Sequence, residues 1–216
     1  MRRTGAVFSV GLLVLCSQSA LATPAHVSID LSGLGGASFQ LQIALYDNSG
    51  VIGDCWALID NVAVGSAQDN FETGTLGGFN ASLNPASVSA VAGSLNGTGS
   101  YLLRISEDPV VTPTIAFRNY SSPGSSVLIF DFDLVSSGAS GPLGQDELVF
   151  SLLNPTTLNP LEPGLTGAGD LLAVSAGSLR SANTVGVTAI PVPGALLLGL
   201  LGSASVAVWR KRASLI

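Results

Sequence analysis

In the segment SFQLQIALYD, residues 38–47, Phe39, Leu41, Ile43 and Leu45 fall on one side of an extended chain, and Gln40 and Gln42 fall on the other. Strict alternation of this kind marks a strand with one buried face, because successive side chains of extended backbone point to opposite sides. The same period recurs where Phe130, Phe132 and Leu134 interleave with Asp131 and Asp133, and where Leu148, Phe150 and Leu152 interleave with Val149 and Ser151. Further strands are expected over residues 26–31, 56–64, 88–92, 101–106, 114–119, 171–176 and 184–189. Between residues 23 and 188 no stretch shows a helical period. Many short strands separated by Gly, Ser, Asn and Pro clusters predict an all-β domain, an antiparallel β-sandwich or jelly roll. DNSG (47–50) and SSGASGPLG (136–144) each lie between apolar strands and are expected to form hairpin turns. Residues 154–169 form a long, proline-punctuated loop, and residues 65–70 mark a boundary between two sheets or two subdomains.

Both ends of the chain break this pattern. Arg2 and Arg3 precede a short apolar core, residues 6–16, and a small-x-small site at Ala20, Leu21 and Ala22. That order is expected for a signal peptide over residues 1–22, removed by signal peptidase to leave Thr23 at the front. Lipoprotein processing is excluded, because it needs a small residue before the cysteine and Leu15 precedes Cys16. At the other end, residues 195–209 form an apolar run of 15 residues closed by Arg210, Lys211 and Arg212. As a helix this run covers about 22 Å, less than the roughly 30 Å of a hydrocarbon layer. Residues 189–194 and snorkelling basic side chains extend it to a marginal single transmembrane helix. The basic cluster orients the tail with its end in the cytoplasm.

Charge sharpens the expectation of export. Once both ends are set aside, the region between holds Arg104, Arg118 and Arg180 against all 14 acidic residues, a net charge of −11 without one lysine. Nucleic acid and anionic headgroups are therefore poor partners. With Cys16 removed, Cys55 stands alone and is expected to be a small buried residue beside Trp56.

The tail also carries a resemblance. Pro191, Val192 and Pro193, then Gly194 and the apolar run, then Arg210, Lys211 and Arg212, resemble the PEP-CTERM sorting signal of Gram-negative bacteria, with Val192 where that family has glutamate. The resemblance implies that residues 189–216 are a sorting signal recognised by exosortase, a membrane protease-transpeptidase. It also implies transient anchoring in the inner membrane, release to the cell surface or outside, and association with extracellular polysaccharide or biofilm. Residues 69–79 and 93–106 resemble the opening strands of carbohydrate-binding jelly-roll modules, and WALIDNVAV (56–64) is similar to their Ile-Asp-x-Val strand. In those modules that strand closes the domain, whereas here it comes first.

Candidate chemistry is sparse. His26, the single histidine, is expected to be an exposed strand-edge residue; without a second histidine or a cysteine pair, neither a zinc site nor a catalytic triad assembles. No catalytic residue, metal ligand set or cofactor is assigned. Asp131 and Asp133 project from one face of a strand about 6–7 Å apart, suiting contact with carbohydrate or calcium, or glycosidase acid and base roles. The plainer expectation for them is a solvated outer face. Asp47, Asn48 and Asp54 loosely resemble a calcium loop but lack EF-hand spacing, so a turn is expected there. The function expected is a non-enzymatic surface or matrix protein; the alternatives are a secreted carbohydrate-active enzyme and a calcium-stabilised adhesin.

Overall fold

The alternating segments become strands whose apolar faces meet. The computed structural model describes residues 24–190 apart from 49, 50, 52, 83, 84, 109, 111, 122–126, 137–145, 162–169, 176 and 177. Its strands are β1 (Ala25–Asp30), β2 (Phe39–Tyr46), β3 (Cys55–Val64), β4 (Ala67–Gln68), β5 (Asn80–Ser82), β6 (Val88–Ala92), β7 (Tyr101–Ser106), β8 (Thr114–Tyr120), β9 (Val127–Ser136), β10 (Glu147–Leu153), β11 (Asp170–Ser175), β12 (Ser178–Ser181) and β13 (Val185–Ala189). Two 3-10 turns, Ser32–Leu34 and Pro85–Ser87, are the helical elements among the described residues. No helix there is long and apolar enough to cross a membrane.

The strands form two sheets with antiparallel pairing throughout. The first sheet runs β13-β1-β9-β3-β7-β6, with β4 attached to β3, and the second runs β12-β11-β10-β2-β8-β5. Their inner faces pack into a β-sandwich. Phe150 of β10 lies 4.6 Å from Phe130 and 5.6 Å from Phe132 of β9, centroid to centroid. Around this aromatic centre Ile29, Ile59, Leu103 and Ile105 from the first sheet meet Phe39, Leu41 and Ile43 from the second, all fully buried. Each such side chain contributes about 1.5–3 kcal/mol by leaving water.

Two expected hairpins are instead crossings between sheets. DNSG follows β2 of the second sheet and leads to β3 of the first, and SSGASGPLG links β9 of the first to β10 of the second. Turn-forming residues allow the chain to reverse, but the partner of the next strand is set by distant contacts. The boundary at residues 65–70 combines two tasks. Gly65, at φ 62°, closes the tight β3–β4 hairpin, after which the chain passes to the second sheet at β5. Residues 69–79, likened to an opening strand, form that connection, with a small bridge between Glu72 and Thr75.

His26 does not lie on an edge strand, since β1 is flanked by β13 and β9. The domain's two ends meet here: the Ile190 N–H donates to the Pro24 carbonyl at 2.8 Å, and β13 includes Ala189. The expected signal-cleavage residues Ala20 and Ala22, the motif Pro191, Val192, Pro193 and Gly194, and the basic Arg210, Lys211 and Arg212 lie outside the described residues.

Candidate functional site

The outer face of the first sheet is built around a β-bulge. Between Asp60 and Ala63 the register of β3 against β9 slips by one residue, and Asn61 takes a left-handed conformation at φ 52°. A short amide side chain tolerates that backbone better than a branched one. The slip leaves both Ile59 and Val62 fully buried in the core while Asp60 and Asn61 serve the opposite face. The bulge thus gives the Ile-Asp-Asn-Val segment its physical meaning.

Asp60 and Asp131 are cross-strand partners. Two adjacent carboxylates repel unless donors surround them, and here six donors do so. Asp131 Oδ1 lies 2.6 Å from His26 Nδ1, and its Oδ2 accepts from Asn61 Nδ2 at 2.6 Å and Asn96 Nδ2 at 2.9 Å. Because a carboxylate only accepts, the His26 Nδ1 must carry the proton. Asp60 accepts from the Asn61 N–H at 2.8 Å, and from the Ser94 hydroxyl and the Leu95 N–H at 3.1 Å each.

Three of these donors come from the β6–β7 loop, residues 93–100, which folds over the sheet. The loop is locked from within, because Ser94 Oγ accepts from the N–H groups of Gly97 and Gly99, and Asn96 Oδ1 accepts from the Thr98 N–H and hydroxyl. Gly99 packs closely on the acid, since a Cβ there would lie 3.0 Å from Asp60 Oδ1 and require the carboxylate to shift by a few tenths of an ångström.

This loop is why Asp131 is 2 % exposed rather than lying on a solvated face. His26 likewise is a partner of Asp131 rather than a free edge residue. Asp133 shares the face but remains half-buried across from Leu58.

A cleft of about 560 Å³ opens beside the loop. Asp60 and Asn61 line its base, residues 68–73 one wall and residues 98–101 the other. The first wall is anchored by Asp69, whose carboxylate accepts from the Tyr120 hydroxyl at 2.5 Å and pairs with Arg118. Burial, reinforced by the Asp69 charge, pushes the Tyr120 hydroxyl well above its ordinary range. Hydroxyls, amides and carboxylates thus face a space with Tyr101 at its margin. The volume lies within the range of small-ligand sites.

A second polar cluster lies at one end of the sandwich. Asp54, just before β3, and Glu107, just after β7, are buried there with Cys55 and with Asp146, which precedes β10. Asn48 contributes its backbone N–H to Asp146 Oδ1 at 3.1 Å, and the Asp47 N–H donates to Thr112 Oγ1 at 3.2 Å. The expected turn therefore belongs to a larger acidic assembly whose other members, Glu107 and Asp146, the sequence reading missed. Burial first, then Asp146, Asp54 and Asp47, push the Glu107 carboxyl up to about 7. Burial, then Glu107, Asp146 and Asp54, push the Cys55 thiol up to about 12. Cys55 is free and buried, as expected.

Comparison with protein-family models, curated proteins and solved structures found no match.

Proposed function

We propose that the protein is an exported, non-enzymatic surface or matrix protein whose β-sandwich binds a neutral, hydroxyl-rich polymer, an extracellular polysaccharide, in the cleft over Asp60 and Asn61. The observation that carries this reading is the cleft itself, a polar space on a rigid sheet, walled by an internally locked loop. Fixed amide, hydroxyl and carboxylate groups at residues 60–61, 70–73 and 98–101 match the alternating donors and acceptors of sugar hydroxyls. Tyr101 offers a ring against which the apolar face of a sugar packs. Asp60, Glu72 and the net charge of the domain repel polyanions, which favours neutral chains.

Binding is preferred to hydrolysis because Asp60 and Asp131 each accept three hydrogen bonds and Asp69 is held by Tyr120 and Arg118, so Glu72 lacks the second free carboxyl that a glycosidase pair needs. A general acid or base needs a carboxyl free to meet substrate. Affinity electrophoresis of the full chain against neutral and acidic polysaccharides tests the reading. Retardation by a neutral polymer, weakened in Tyr101→Ala and Asn70→Ala, is expected. No retardation, equal retardation by polyanions, or turnover of the polymer overturns it.

Export and tail processing rest on the signal-like residues 1–22 and the PEP-CTERM-like residues 189–216. The order Pro-Val-Pro, apolar run and basic cluster supports cleavage by exosortase from an inner-membrane anchor. Mass spectrometry of mature surface protein is expected to find a C-terminus near Pro193 and no Trp209. An intact C-terminus, unchanged by Pro191→Ala and Pro193→Ala, refutes the sorting reading and leaves the binding reading standing.

A further inference from the structure

We propose that Glu107 and Asp146, beside Cys55, form a binding site for a hard divalent cation of the calcium class, clamping the two sheets together at one end of the sandwich, with the buried Asp54 next to Cys55 adding negative charge. Glu107 follows β7 of the first sheet, and Asp146 leads into β10 of the second. One oxygen each from Glu107 and Asp146, together with Cys55 Sγ, lie within 4.8 Å of one another, and all three residues are buried. Two ligands bound to one calcium ion at about 2.3–2.6 Å are separated by no more than about 5 Å. The spacing therefore fits a shared ion.

A group of acids alone is weak grounds for such a site. The decisive feature is what surrounds them. Asp54 is 2 % exposed, yet among the described residues neither of its carboxylate oxygens has a hydrogen-bond partner. Glu107 is 6 % exposed; its Oε2 accepts from the N–H groups of Gly53 and Cys55, while its Oε1 has no partner. A buried carboxylate without donors is strongly disfavoured. Asp60 and Asp131 show how this fold treats an acid meant to stand alone, surrounding each with three donors.

Nor is there a basic residue to balance the cluster. The domain holds three arginines and no lysine. Arg118 pairs with Asp69, Arg180 with Glu147, and Arg104 lies over the Trp56 ring at 4.9 Å. His26 is held by Asp131. The counter-charge has to come from solution.

The donor set selects the ion. Carboxylate oxygens favour calcium, which accepts irregular coordination and completes its shell with backbone carbonyls and water. A single thiol beside several carboxylates does not make the sulfur-rich site that zinc prefers. Cys55 therefore lines the site as a bystander.

The test uses the purified full chain stripped with a chelator, followed by thermal unfolding and calorimetric titration with calcium, magnesium, zinc and cadmium. Calcium is expected to bind with half-saturation below about 1 mM, the range of extracellular modules, and to raise the melting temperature progressively with concentration. Glu107→Gln and Asp146→Asn are each expected to weaken calcium binding at least tenfold. Asp54→Asn should melt no lower than the stripped wild type, because it removes a buried charge. Cys55→Ser should leave calcium binding unchanged. The proposal is overturned if calcium at about 10 mM, well above the weakest such sites, leaves wild-type melting unmoved. Wild-type affinity in Glu107→Gln or Asp146→Asn also overturns it, as does a preference for zinc or cadmium that disappears in Cys55→Ser. Polysaccharide binding is read separately, so either conclusion can fail alone.

Discussion

Replacing Asp131 by alanine is expected to loosen the loop over the first sheet as well as to remove a charge. Asp131 holds His26 of β1, Asn61 of the β3 bulge and Asn96 of the loop at 2.6, 2.6 and 2.9 Å. Hydrogen bonds to a charged acceptor contribute about 1.5–3 kcal/mol each, which sets an upper bound well above the true cost. Asn96 is exposed and the His26 side chain is 42 % exposed, so both regain water when their acceptor is lost. Asn61, held in a left-handed conformation partly by this contact, does not recover as fully. A net loss of about 2–4 kcal/mol follows, or roughly 5–15 °C in melting temperature for a domain of this size. Denaturant unfolding with an unchanged m-value is the assay. Asp131→Asn keeps one acceptor and should fall between alanine and wild type. Both variants should weaken polysaccharide binding, because Asn61 and the neighbouring loop define the cleft. A loss under about 1 kcal/mol in Asp131→Ala, with binding intact, would refute the positioning role.

Two further perturbations test the frame around the site. Phe150→Ala, at the junction of Phe130 and Phe132, should cost about 3–5 kcal/mol in denaturant unfolding; a cost below about 1.5 kcal/mol would mean that the two sheets do not meet there. Alkali should unfold the domain together with ionisation of Tyr120, whose folded-state pKa is raised above its unfolded value. That contribution is fully present below the ordinary tyrosine pKa of about 10 and is lost as pH rises beyond it. Tyr120→Phe should shift the alkaline transition seen by ultraviolet absorbance and circular dichroism, and an unchanged transition would assign it to other groups.

How much of this was legible in the sequence follows from the range of the interactions involved. Ten strands were readable because each buries one face over enough residues for alternation to show; Phe39 to Leu45 is the plainest. β4, β5 and β12 span two, three and four residues and are too short to display a period. DNSG showed where the chain turns but not that β3 would enter the other sheet. Asp131 and Asp133 look equivalent in the sequence, and a loop 35 residues away, through Asn96, makes one buried and leaves the other half-exposed. The nearest signal was Ile-Asp-Asn-Val itself, where a polar pair interrupts the apolar period of a strand at the bulge.

The acidic seam was hidden for the same reason. Asp54, Glu107 and Asp146 are separated by tens of residues, and only the crossing between sheets brings them together. Composition nevertheless held half of the argument, since a domain with a net charge of −11 and no lysine cannot neutralise many buried acids with its own side chains. Two solutions are open to such a chain. It can surround a carboxylate with neutral donors, which needs a closely fitted loop rich in Gly, Ser and Asn, as at Asp60 and Asp131. Otherwise it can leave some carboxylate oxygens short of donors, as at Asp54 and Glu107 Oε1, and take a cation from outside, which makes folding depend on the surroundings. Using the first at the cleft keeps the binding face rigid whatever the ionic conditions. Using the second where the sheets join would tie the stability of the sandwich to the calcium around it, which the calcium-dependent melting of the stripped chain measures directly.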